Sequence, residues 1–306
     1  MTVSVVYGGT PEECGPSKKN AEDIAEALIS RGYNVILMEF QKDIIHILKE
    51  NGTDVVFLCV QGKGYGDGTF QGMLEAEGIP FTGSSMRAAG LINDKILCKM
   101  VFDHYNIRTP KWDILIKRSY DWKSFPYDSF GYPFVAKAPT QGGSFGIELI
   151  KSSDDLPLIE NVFKYDSPIL LEKYIDGYFY TIGIYEGKNG LVTLPPVEGV
   201  DIDHKEGELI GFTGKYSIRK SNLSSELEAT LKDIAKKVFK ATSSFGYGRV
   251  DFMIDKNDST PYVLETNAVP GLKRSSLMPL AAKGAGIVYE DMIEDILKTA
   301  FKHRRK

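Results

Sequence analysis

The chain has 306 residues, 42% of them hydrophobic and 25% charged, with a formal net charge of −4. That length exceeds a single core and implies two or three domains, and without a basic stripe no nucleic-acid partner is expected. No apolar run reaches the roughly 18 residues of a membrane span, and four histidines without ligand spacing and three scattered cysteines (Cys14, Cys59, Cys98) exclude a zinc or disulfide framework and point to a reducing, cytoplasmic setting.

The N-terminal stretch VSVVYGG (residues 3–9) reads as a buried parallel strand entering a glycine turn, not as a signal peptide. A helix is predicted over residues 17–32, with Ile24, Ala25, Leu28 and Ile29 on one face and Gly32 as its stop. A strand (33–40), a helix (41–52) and a third strand (53–60) complete a βαβαβ unit. The glycine-rich loop QGKGYGDGT (61–69) leaves the carboxyl end of that strand, where ligands bind in such sheets. A short helix (70–78) and the turn IPFTG follow, and a second unit begins near Leu91 with one helix predicted over 92–106.

In that second unit, a polar and aromatic stretch (116–132) precedes strand PFVAKAP, glycine loop TQGGSFG, strand IELIKS, a helical 153–166 and strand SPILLEKYI. From about Asp176 a third unit carries strands FYTIGIYE, GLVTLPPVEGV, GRVDFMID and PYVLETN, with helices over 224–244 and 289–301. The basic end, Phe301 to Lys306, reads as a solvated helix terminus.

The pair GRVDFMID and PYVLETN, joined by the turn-rich DKNDST, reads as a hairpin. Side chains two apart share a strand face. Arg249 and Asp251 therefore point one way and Val250, Phe252 and Ile254 the other, while Glu265 and Asn267 share a face opposite Leu264. One sheet face thus gathers two carboxylates, an amide and a guanidinium, a hard-oxygen set suited to Mg²⁺ with phosphate oxygens. A polar surface hairpin is the competing reading, and the apolar flanks argue against it. In KAPTQGGSFG, backbone N–H groups of a glycine loop can cradle phosphates and Lys137 stands just before it, although a structural glycine hairpin fits the same residues. Lys95 falls in the first turn of a helix, where a cation opposes the macrodipole.

Taken in order, VVYGGTPEE, GDGTFQGMLEAEGIPFTGSS, NDKILCK, PFVAKAP, GGSFG, ILLEKYIDG, GKYS, GYGRVDFMID, LETNAVPGL and SSLMPLAAKGAG resemble the ATP-grasp ligases, and among them the D-alanine–D-alanine ligase group. The resemblance implies an α/β ATP-grasp fold: an N-terminal parallel-sheet (pre-ATP-grasp) domain, residues 1–91, and two α+β lobes, residues 92–175 and 176–306, clasping ATP. It implies that Lys95 and Lys137 contact ATP phosphates, that Ser144 belongs to the ATP-binding set, and that Glu172, Lys173 and Ile175 form the adenine rim. Asp251, Glu265 and Asn267 would ligate two Mg²⁺ ions, with Mn²⁺ as a substitute. Arg249 and the backbone at Gly271 would stabilise the oxyanion. Glu13 would orient the first substrate's amino group. Lys215 and Tyr216 would belong to a closing loop, and Lys215 with Ser276 would hold the second substrate's carboxylate. A homodimer through the first domain and a place in peptidoglycan precursor synthesis are implied as well.

Four positions depart from the group's pattern. Gln61 replaces a histidine, Gly66 a glutamate, Gly143 a serine, and Phe179 a glutamate that holds the ribose hydroxyls. A phenyl ring accepts no such hydrogen bonds. The expected activity is ATP-dependent joining of two small amino acids through an acylphosphate. D-alanine is favoured at both positions, and Tyr216 favours an amine over a hydroxy-acid nucleophile. The alternatives are another amino acid pair or an ATP-binding protein without ligase turnover.

Overall fold

The computed structural model describes residues 1–117, 122–142, 145–201, 216–220 and 222–302, with backbone alone at 11, 12, 200, 201 and 216–220. In chain order the first elements are β1 (Thr2–Tyr7), α1 (Pro11–Ser30), β2 (Asn34–Glu39), α2 (Ile44–Glu50), β3 (Val55–Leu58) and α3 (Thr69–Ala76). The three strands form a parallel sheet in the order β2-β1-β3. Alternation divides its side chains between two covers. Val3, Val5, Val55 and Phe57 pack towards α1, and Val6, Val56 and Leu58 pack with Ile44 and Leu48 of α2 and Phe70 and Leu74 of α3.

Helices α4 (Met86–Asn93) and α5 (Lys95–His104) lead to β4 (Trp112–Leu115), α6 (Tyr127–Phe130), β5 (Phe134–Lys137), β6 (Ile147–Ile150), α7 (Ile159–Val162) and β7 (Ile169–Lys173). The four strands make an antiparallel sheet in the order β4-β7-β5-β6 with its own apolar cluster around Phe134, Ile150 and Leu171. The remaining elements are β8 (Gly177–Gly187), β9 (Gly190–Thr193), β10 (Val197–Asp201), β11 (Tyr216–Lys220), α8 (Ser225–Ala241), β12 (Tyr247–Asp255), β13 (Pro261–Asn267), α9 (Leu277–Gly284) and α10 (Tyr289–Thr299). Here the order is β11-β10-β8-β12-β13, with β9 paired to β8. The α/β architecture, with one parallel and two antiparallel sheets, is the one expected.

Several elements differ from the sequence reading. Helix α1 starts at Pro11, not Ser17, because proline suits the first helical position and Pro16 forfeits only one backbone bond. The single helix expected over 92–106 is two: Asp94 is extended (φ −97°, ψ 107°), ends α4, and caps α5 by accepting from the Ile96 and Leu97 N–H groups. The strand expected through GLVTLPPVEGV breaks into β9 and β10 at its two prolines, which cannot donate to a ladder. The helical 153–166 is a 3₁₀ segment, Ser153–Leu158, followed by α7. Helix α9 was not anticipated.

The first and last parts of the chain share one core. Residues of β1, β3 and α1 pack with Tyr247, with Met278 and Ala281 of α9, and with Met292, Ile293, Ile296 and Leu297 of α10. Tyr247 donates its hydroxyl to the Leu58 carbonyl (3.1 Å), and Arg31 pairs with Asp291 at 2.6 Å. Ile296 is fully buried there. Ile296→Ala is therefore expected to cost about 2–5 kcal/mol and to lower the urea midpoint of a single transition. Separate transitions for the two parts would contradict a shared core.

Candidate active site

The hairpin β12–β13 forms as predicted, and its register sets Arg249 opposite Asn267 and Asp251 opposite Glu265. Just beyond, the register shifts so that Phe252 faces Val263. This bulge leaves Leu264 without a partner. Val263 enters the core and Leu264 stays half-buried, so Leu264 is not the core residue that strict alternation assigned.

Asp251 is 2% exposed. It accepts from Thr181 Oγ1 (2.6 Å), Arg249 Nε (2.9 Å) and Nη2 (2.7 Å), and Asn267 Nδ2 (3.0 Å). Four donors fill a carboxylate's acceptor sites, so a cation ligated by Asp251 takes the place of one of them. Glu265 lies 3.3 Å from Lys95 Nζ. Burial pushes the Glu265 carboxyl up, but Lys95, Lys137 and Arg249 overcome that and hold it below the usual carboxylate range.

Lys95 also donates to the Gln141 carbonyl at 2.8 Å, tying α5 to the glycine loop. Lys137 and Glu172 are diagonal neighbours on one face of β5 and β7. Glu172, 1% exposed, is clamped between Lys137 and the fully buried Lys99, which also bonds Thr109. Burial alone would raise its carboxyl; the two lysines, Lys137 foremost, hold it below the usual range. The sequence reading did not single out Lys99, Thr181 or Asn20. Asn20 is buried in α1 and accepts from the Leu272 and Lys273 N–H groups at 3.1 and 2.7 Å, fixing the turn after β13.

A cavity of about 310 Å³ lies against the hairpin, the start of α5 and the glycine loop. Glu13, Lys95, Arg249, Asp251, Glu265, Asn267 and Gly271 line it, and so do Gln61, Gly66 and Phe179, three of the four departures. The Glu13 carboxylate lies on Gly62: a Cβ there, at φ +81°, would stand 1.8 Å from Glu13 Oε2, so only glycine admits this approach. Ser276 is buried beside Gly271 at the N-cap of α9. Lys173 donates to the Tyr132 carbonyl (2.9 Å), and Ile175 is half-buried just past β7; neither lines this cavity, and nor do Lys137, Glu172 and Ser276. Gly143, Ser144 and Lys215 lie outside the described residues, and Tyr216 opens β11.

The donor chemistry fits Mg²⁺. Two carboxylates and an amide offer hard oxygens, with cationic partners that phosphate oxygens can also use. Among the described residues, no group of three His, Cys, Asp or Glu side chains could hold a metal alone.

A family model described as "D-ala D-ala ligase C-terminus" matches residues 101–298. The chain is 34% identical to a D-alanine–D-alanine ligase of Carboxydothermus hydrogenoformans, covering 100% of both chains, and 33% identical to that of Geobacter sulfurreducens, covering 97% and 93%. The crystal structure of the Bacillus anthracis D-alanine–D-alanine ligase complexed with ATP superposes with a TM-score of 0.85 at 30% identity, covering 99% of this chain and 98% of that one.

The clamp on Glu172 predicts a pH effect. Its carboxyl is lowered in the folded state, so its stabilisation is present above the unfolded value of about 4.3 and is lost as pH falls through the lower folded value. Glu172→Gln, which leaves buried Lys99 without a carboxylate, is expected to lose about 3–5 kcal/mol at neutral pH and to decline less than the parent between about pH 5 and pH 2. Urea titrations at stepped pH measure both, and parallel profiles would contradict the clamp.

Proposed function

The chain belongs to the D-alanine–D-alanine ligase family, and from that premise we propose that it joins two D-alanines to D-alanyl-D-alanine, with ATP converted to ADP and phosphate. The observation that carries this reading is the β12–β13 register, which turns Arg249, Asp251, Glu265 and Asn267 to one cavity with Lys95 and Glu13.

A carboxylate does not react with an amine at neutral pH. Transfer of the γ-phosphoryl group from ATP to a carboxylate oxygen of the first D-alanine forms an acylphosphate and releases ADP. The amine of the second D-alanine attacks the acyl carbon and loses a proton, and the tetrahedral intermediate expels phosphate to leave the amide. Positioning and charge neutralisation supply most of the acceleration in such transfers. Glu13 holds the first ammonium. Lys95, Lys137 and Ser144 take the phosphates, and Glu172, Lys173 and Ile175 take the adenine. Arg249 and the backbone at Gly271 face the oxyanion. Lys215 and Ser276 bind the second carboxylate, Ser276 at a helix N-terminus suited to an anion, and Tyr216 closes the site against water. Asp251, Glu265 and Asn267 would hold Mg²⁺, which when bound withdraws charge from the phosphate oxygens.

A second reading keeps the chemistry with a different amino acid pair. Gln61 and Gly66 on the cavity wall favour it, since both replace larger or charged groups of the family pattern.

Within this reading the three domains are residues 1–91, 92–175 and 176–306, and the protein works in the cytoplasm, where ATP is supplied and Cys14, Cys59 and Cys98 stay free. Among the described residues no helix is long and apolar enough to cross a membrane. The chain acts as a homodimer through its first domain, where Ile29, Leu37 and Met86 are exposed. Light scattering is expected to give twice the 34.0 kDa chain mass; a single chain mass would overturn the dimer.

Mass spectrometry of products from D-alanine, D-serine, D-lactate and L-amino acids with Mg-ATP tests the activity. D-alanyl-D-alanine is the expected main product. A D-lactate ester would overturn the amide assignment, and turnover of L-amino acids alone would overturn D-alanine. In the same assay Asp251→Asn and Glu265→Gln are each expected to lower phosphate release at least about 100-fold with the thermal transition retained. Near-normal rates at ordinary Mg²⁺ would overturn the metal assignment.

A further inference from the structure

Lys99 is an ammonium with no exposed surface, held between elements far apart in sequence. It bonds Glu172 of β7 and Thr109, and Thr109 donates to the Val263 carbonyl on β13 at 2.7 Å. It cannot touch a ligand in the cavity. Yet burying an ammonium is costly unless its charge is used.

The charge count shows the use. Lys99, Lys137 and Glu172 form a triad of two cations and one anion. Lys137 has a partly exposed side chain, 14% against 0% for Lys99. It is the member that can turn to a phosphate. If Lys137 were the only partner of Glu172, its departure would strand an uncompensated buried carboxylate, which is strongly unfavourable. With Lys99 in place, the departure leaves a neutral, hydrogen-bonded pair behind. We propose that Lys99 is a positioning residue for the nucleotide: its buried ammonium stays with Glu172 and so frees Lys137 for a phosphate oxygen. The inference rests on the reading of Lys137 as a phosphate ligand.

The test separates phosphate binding from adenine binding. Affinities for Mg-ADP and for adenosine are measured by calorimetry, and their ratio reports the phosphate contribution. Lys99→Met is expected to lower that ratio about 100-fold, because Lys137 stays locked on Glu172. The double variant Lys99→Met/Glu172→Gln, which removes the carboxylate that locks Lys137, is expected to restore the ratio even if adenosine itself binds more weakly. Lys99→Gln keeps a donor towards Glu172 and Thr109 without the charge, and carries the test if the methionine variant does not fold. A purely structural role would weaken ADP and adenosine together and leave the ratio unchanged, which would overturn the proposal. Lys137→Met is the control. If it leaves the ratio at the parent value, the phosphate role of Lys137 fails and the proposal with it. If it lowers the ratio while Lys99→Met does not, the proposal alone fails.

Discussion

Two carboxylates facing each other across an antiparallel pair repel, and a fold that buries one of them must bring in positive charge. Asp251 and Glu265 are such a pair. Their compensation comes from three separate elements: Arg249 on the same strand, Lys95 at the start of α5 and Lys137 at the end of β5. The site therefore forms only when both antiparallel sheets and the helix between them are assembled. Lys95 and Arg249 on the cavity wall offset only part of the charge of Glu13, Asp251 and Glu265, which leaves carboxylate charge there for a divalent cation to meet.

The three sheets are joined in two different ways. The parallel sheet and the six-stranded sheet share a continuous apolar core through α1, α9 and α10, with Tyr247 bridging to β3. Dense packing of that kind fixes relative position closely. The four-stranded sheet keeps its own apolar cluster. It meets the others partly through polar contacts: Lys95 to Gln141 and Lys99 to Glu172. Glu13 and Gly271 thus sit on the packed joint, and Lys95 and Lys99 sit on the polar one.

The departures from the family pattern have distinct surroundings. Gly66 is packed so closely that a Cβ would stand 2.8 Å from the Val60 carbonyl, so the backbone there would have to shift before any side chain fitted. Phe179 is 5% exposed, paired with Met253 in the β8–β12 ladder, and puts a ring on the cavity wall where a carboxylate is usual. Lys95, Lys137, Asp251, Glu265 and Asn267 keep the residue types of the family pattern, while Gln61, Gly66 and Phe179 change the cavity lining.

Much of the architecture was legible in the chain because it is local. Alternation in VSVVYGG and GRVDFMID reports which side chains share a face, and the turn residues of DKNDST report the hairpin. The hairpin's polar face could be read from those facts alone. Which residues lie opposite each other could not, because register depends on a bulge at Leu264 that strict alternation does not contain. Lys99 is the sharper case. In the sequence it is one lysine of a helix, while in the fold its partner Glu172 lies 73 residues away. Periodicity marks the face a side chain takes, but only tertiary packing decides what covers that face. A buried ion pair is made by the covering element, so its partners are set by the fold rather than by neighbouring sequence.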